Sequence, residues 1–171
     1  MTKAQFKKIL INYTSIAEEN ANKFLSQFNL TLSIDWSYDF DFDDWRDAIG
    51  VYVDGSVFEG NIVIGMNINK LYNVCIADIK KWTSTDPYTI ISEAIFTNVY
   101  HEMAHGLVDK INDYLQYSDQ LDEIYDNNKE LFDRVLDNEE NSVEEFAWDL
   151  YDNQIKDNDL YQVIQLSLKF E

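Results

Sequence analysis

Both histidines of the 171-residue chain fall within one pentapeptide, His101-Glu102-Met103-Ala104-His105. On a helix, positions four apart lie one turn apart on the same face. Two imidazoles so placed can reach one cation, and Zn²⁺ is the usual occupant of such a nitrogen pair. Glu102 stands on the flank of that face, where it can take a proton from a water that the cation polarises. The H-E-x-x-H spacing therefore points to metal-assisted hydrolysis, with His101 and His105 as ligands and Glu102 as general base. The competing reading makes both residues ordinary core histidines. It leaves a costly buried carboxyl beside them.

A catalytic zinc takes three protein ligands and keeps a fourth position open. No third histidine exists and Cys75 is the sole cysteine, so the third ligand is expected to be a carboxylate. Val108 and Ile111 occupy the third and sixth positions past His105, where an extended form of the motif would carry Gly and His. Further on, Val143, Phe146, Ala147, Leu150 and Tyr151 predict a helix over 142–155, with Ser142 and Glu145 as its capping box. Glu144 borders the apolar face of that helix and is the leading third ligand. Glu145, which points further outward, and Glu140 stay open as alternatives. A first-turn acid such as Glu144 could also serve only the helix dipole. Asp109, one turn past His105, could orient an imidazole from behind or be a plain helix-end acid.

The elements that must position these groups follow from periodicity. Asp86-Pro87 fits an N-cap followed by Pro at the first helical position. From Ile90 to Ile111 apolar residues occupy nearly every side, which predicts a central, buried helix carrying the motif. Ala104 and Gly106 allow close packing there. Phe6, Leu10, Tyr13, Ala17 and Phe24 predict a helix over 3–28. The period then becomes two from Leu32 to Phe42, predicting one long strand. Val51–Val53 and Ser56–Phe58 flank Asp54-Gly55, a hairpin signal. Asn61–Ile68 reads as a further strand, with Gly65 marking a bulge or a close backbone approach. That strand could be interior, or a sheet edge that receives an extended peptide. Leu71, Cys75, Ile79 and Trp82 suggest a short helix, 119–137 another, and 160–171 is ambiguous. The expected fold is α+β in a single domain, 1–171: an N-terminal helix and a small antiparallel sheet packed on the buried motif helix and C-terminal helices.

His101-Glu102-Met103-Ala104-His105, followed some forty residues later by Glu144-Glu145-Phe146-Ala147, resembles the gluzincin group of zinc metallopeptidases. The E-x-F-A form is similar to that of lethal-factor-like toxins and several phage-associated peptidases. The resemblance covers two short motifs and the order of elements. It implies a zincin-like fold in a minimal single-domain form, with His101, His105 and Glu144 as zinc ligands and Glu102 as base. It also implies a Tyr or His that stabilises the developing oxyanion; no His remains, so Tyr125 and Tyr151 are candidates and neither is assigned. Many gluzincins place Asp or Asn four residues after the third ligand. Counted from Glu144 that position is Trp148, a departure; counted from Glu145 it is Asp149, a match.

Composition narrows the function classes. At 46% hydrophobic and 15% aromatic, the chain has apolar mass enough for one packed core. One cysteine excludes an intramolecular disulfide framework and any multi-thiolate zinc site. Thirteen basic against 32 acidic residues give a formal net charge of -19, which argues against nucleic-acid or anionic-membrane binding. No signal-like or membrane-spanning stretch is seen, and with the free cysteine this favours a cytoplasmic setting. The expectation is a zinc-dependent endopeptidase acting on a peptide or protein, with basic character suggested by the acidic surface. Two alternatives stand beside it. One is an acidic protein that imitates nucleic acid, using Asp35, Asp39 and Asp41 along one strand face. The other is a module that zinc staples without catalysis.

Overall fold

The computed structural model describes residues 1–41, 47–53 and 60–168. Seven helices surround a three-stranded sheet in the described residues, an α+β arrangement. Helix α1 (Lys3–Leu25) opens on a capping box between Thr2 and Gln5. It is tied to strand β1 (Thr31–Asp35) by Asn22, whose Oδ1 accepts from the Leu32 N–H at 2.7 Å and whose Nδ2 donates to the Leu32 carbonyl at 3.1 Å.

The expected strand over 32–42 stops at Asp35. Asp35 Oδ1 accepts from the N–H and the hydroxyl of Ser37, and Asp39 Oδ1 accepts from the Asp41 N–H. Short acidic side chains that bond the backbone two residues on compete with a ladder and turn the chain. The apolar–acidic alternation is therefore a run of turns here, and the row of aspartates does not form a strand face.

Strands β2 (Gly50–Tyr52) and β3 (Asn61–Met66) complete the sheet in the order β1-β3-β2. The sheet is mixed rather than antiparallel: β1 runs parallel to β3, with Leu32 opposite Ile62, while β2 runs antiparallel to it, with Val51 opposite Gly65. β3 is thus the interior strand, bonded on both sides, and has no free edge for an added peptide. The hairpin expected at Asp54-Gly55 lies outside the described residues. The close approach expected at Gly65 is present. A Cβ there would lie 2.7 Å from Tyr38 Cβ and Cγ, so only glycine lets that ring cover the strand. β3 ends two residues before the expected Ile68 because Asn67 accepts from the Lys70 N–H and caps helix α2 (Ile68–Lys81).

Helix α3 (Pro87–Tyr117) starts as expected, with Asp86 accepting from the Thr89 N–H and Pro87 in the first turn. Ile91, Ile95, Val99, Met103, Leu107 and Ile111 recur every four residues along it, and all are fully buried. It packs on α1, α2, α6 and the sheet. A Cβ at Gly106 would lie 2.7 Å from Ile62 Cγ2, so the missing side chain sets how closely the motif helix sits on β3.

The back half departs from expectation at its boundaries. The helix expected over 119–137 is two, α4 (Asp119–Asn127) and α5 (Lys129–Leu136), broken at Asn128. Helix α6 runs Glu139–Tyr151, three residues ahead of the expected start. Ser142 therefore lies inside it, and its hydroxyl donates to the carbonyls of Val135 and Asn138 rather than capping. The ambiguous tail forms helix α7 (Asp159–Ser167), capped by Asn158 and pinned to α5 by the Arg134–Asp159 ion pair. No helix among the described residues is long and apolar enough to cross a membrane.

Gly106→Ala should destabilise the protein by about 1–3 kcal/mol, because the methyl must displace Ile62 in a close-packed core. That cost opposes the roughly 1 kcal/mol that helix propensity alone would return. Chemical denaturation of both proteins measures it, and a more stable variant would contradict this packing.

Candidate metal centre

One turn of α3 separates His101 from His105, and both side chains are largely buried, at 20% and 18% exposure. Their Nε2 atoms face each other at 3.2 Å. The early start of α6 brings three carboxylates across from them. Glu139 Oε1 lies 2.7 Å from His105 Nδ1, and Glu144 Oε2 lies 3.2 Å from His101 Nδ1. The latter is an ion-pair contact without hydrogen-bond geometry, and His101 Nδ1 is buried with no other partner. Glu140 sits between these two, 3.4 Å from His105 Nε2 and 3.7 Å from His101 Nε2. His101, His105 and Glu140 can each turn one ligand atom into a space where all three lie within 4.8 Å of one another.

The tautomers follow from the partners. A carboxylate at each Nδ1 favours the proton on that nitrogen. Both Nε2 atoms then carry lone pairs, directed at one another and at a carboxylate. Such a set is repulsive unless a proton or a cation lies between its members. Tetrahedral zinc with Zn–N near 2.0–2.1 Å separates its nitrogens by about 3.3 Å, which the 3.2 Å spacing matches. Two imidazoles and a carboxylate are also a donor set that zinc accepts. The residues present fit the ion.

Electrostatics distinguish the two rings. Burial lowers the His101 pKa, helped by His105 and opposed by Glu144 and Glu140. Burial also pulls His105 down, but the Glu139 hydrogen bond and the charges of Glu102, Glu139 and Glu140 outweigh it and hold that ring above its ordinary value. With no metal, His105 is therefore the more basic of the two rings.

Glu102 is buried on the flank of the same helix turn. Burial lifts its carboxyl to about 7, against the opposing pull of His105 and of a hydrogen bond from the Tyr52 N–H. Strand β2 delivers that N–H, and Gly50 makes the approach possible: a Cβ there would lie 2.9 Å from Glu102 Cγ. All of these groups line one cavity of about 670 Å³ between α3, β2 and the first turns of α6.

The expected site residues are placed as follows. His101, His105 and Glu102 meet in the cavity. Glu144 also lines it, but stands behind His101 on the Nδ1 side, where the Trp148 indole N–H holds its other oxygen at 2.9 Å. Glu145 is exposed and does not line the cavity. Asp109 accepts from the Tyr52 hydroxyl at 2.7 Å, and Glu139 is the acid behind His105. Tyr125 donates to Asp133 and Tyr151 pairs with Ser92, both outside the cavity. Glu139 and Tyr52 were not among the residues expected at the site, where Glu140 stood as an alternative to Glu144. The available signal was the interval of four from Glu140 to Glu144, which puts both on one helix face once the helix starts at Glu139.

No protein-family profile, curated protein or solved structure matches the chain.

Because the folded protein binds the Glu102 proton more tightly than the unfolded chain, keeping this carboxyl ionised in the fold is a cost. The cost is complete above pH 7, shrinks as pH falls through that value and vanishes below about 4.5. Glu102→Gln in chelator-treated protein should therefore raise stability by up to ~3 kcal/mol above neutrality, with the gain fading toward acid pH. Urea unfolding of both proteins across this range measures the gap. A gap that does not change with pH would contradict the burial described.

Proposed function

We propose that the protein is a zinc-dependent endopeptidase of zincin-like type, with His101, His105 and Glu140 holding the ion, Glu102 as general base, and Glu139 and Glu144 orienting the two imidazoles. The observation that carries this reading is the convergence of two imidazole Nε2 atoms and a carboxylate beside a buried glutamate in an accessible cavity. Glu140 replaces Glu144 as the third ligand because its oxygens approach both Nε2 atoms, whereas Glu144 approaches Nδ1.

When bound, zinc supplies Lewis-acid polarisation of water and of the scissile carbonyl. The chain's own residues handle the proton. Glu102 accepts it as the water oxygen bonds to the carbonyl carbon. It then delivers that proton to the amide nitrogen as the C–N bond breaks. A carboxyl held near 7 by burial suits both halves of the transfer at neutral pH. The Tyr52 N–H fixes the orientation of the carboxylate, and Gly50 leaves it room. Glu139 and Glu144 favour a proton on each Nδ1 and so aim both Nε2 atoms inward.

Zinc titration separates the roles. Glu144→Gln should weaken binding roughly 10–100-fold, as loss of an orienting carboxylate does, Glu140→Gln more than that, and Glu145→Gln not at all. Glu102→Gln should keep its zinc and lose turnover on any peptide the parent cleaves. Normal zinc affinity in Glu140→Gln would overturn the ligand set, and full activity in Glu102→Gln would overturn the mechanism.

A further inference from the structure

Six acids line the cavity, and among its described lining residues there is no lysine or arginine. Each of the six has a partner. Glu102 takes the Tyr52 N–H, Glu139 and Glu144 stand behind the imidazoles, Glu140 faces both Nε2 atoms, and Asp47 pairs with Lys70 at 3.0 Å. Asp109 differs. Its Oδ2 accepts from the Tyr52 hydroxyl, and it has no cationic or imidazole partner among the described residues. Tyr52 is itself fixed, with a buried side chain and its backbone N–H committed to Glu102. Asp109 is therefore a carboxylate held in one orientation on the cavity wall, one helical turn (about 6 Å) past His105. Ile49, Val51 and Val108 line the same cavity and offer an apolar surface to a methylene stem.

We propose that Asp109, oriented by Tyr52, is the receptor for a lysine or arginine side chain of a peptide whose adjacent amide lies at the His101–His105–Glu140 cluster. This assignment of substrate class rests on the peptidase reading above. With Asp47 paired to Lys70 and a divalent cation offsetting two more charges, at most three of the six acidic charges remain, and the occupied cavity still favours a cationic ligand. A neutral side chain covering Asp109 leaves a carboxylate desolvated and unpaired, and an acidic one is repelled.

The test uses zinc-loaded Glu102→Gln protein, in which binding is not followed by cleavage. The probes are fluorescein-labelled Ala/Gly decapeptides that differ only in carrying lysine, glutamine or glutamate at one position. Fluorescence anisotropy should show the lysine peptide binding about ten- to a hundredfold tighter than the glutamine peptide, with the glutamate peptide weakest. Adding Asp109→Asn, whose amide oxygen can still accept from Tyr52, should erase this order while zinc content stays at one per chain. Adding Tyr52→Phe instead should reduce the lysine preference without abolishing it. Equal binding of the lysine and glutamine peptides, no binding of any peptide, or an order that survives Asp109→Asn would each overturn the proposal. The peptidase reading is judged separately, by cleavage of the lysine peptide by the zinc-loaded parent. No cleavage with the charge order intact would overturn that reading and leave Asp109 as a receptor.

Discussion

Two imidazole Nε2 atoms 3.2 Å apart need a proton or a cation between them. They are turned inward because each ring has a carboxylate at its opposite nitrogen, Glu144 for His101 and Glu139 for His105. Glu140 adds a third electron-rich group to the same space. The repulsion among these groups is the constraint on which the rest depends. A proton on His105 relieves part of it, and a divalent cation relieves it more fully by bonding all three.

The fold supplies what this arrangement needs. α3 must be fixed before its histidines can be aimed, and burial on nearly every side fixes it. Gly106 lets it sit tightly against Ile62 of β3, and the antiparallel pairing with β3 then sets the height at which β2 passes Glu102. At that crossing Gly50 makes room for the carboxylate and Tyr52 donates to it. α6 brings all three carboxylates from its first two turns, so a single helix position sets Glu139, Glu140 and Glu144 together against the histidines. Trp148, one turn further, holds Glu144 in place. Displacing α6 by one residue would rotate all three acids away together.

The motif helix was legible in the sequence because its cap, its proline and its all-round apolar pattern agree with one another. His101, Glu102 and His105 were legible with it, since i and i+4 geometry is local. The third carboxylate was less so. The Ser142 capping signal suggested a helix start that would leave Glu139 and Glu140 in a loop, whereas the observed start at Glu139 puts them on the face opposite the histidines. Capping residues inside a helix give the same local signal as those at its end, and only packing against α3 decides between them. The run from Leu32 to Phe42 failed for a related reason. Its period of two is real, but Asp35 and Asp39 use their side chains to bond nearby backbone, which no hydrophobic pattern reports. Strand direction was not legible either, because the parallel pairing of β1 with β3 depends on the route of the chain between them. Asp109 and Tyr52 lie 57 positions apart, and their contact is a product of the tertiary fold alone.

X-ray absorption spectroscopy at the zinc edge, on the purified protein and on Glu140→Gln, tests the central claim most directly. The expected spectrum is that of one zinc per chain bound by two imidazole nitrogens and oxygen donors, with the carboxylate contribution lost and the ion readily released in Glu140→Gln. A protein that takes up no zinc, or one whose two-imidazole coordination is unchanged in Glu140→Gln, would contradict it.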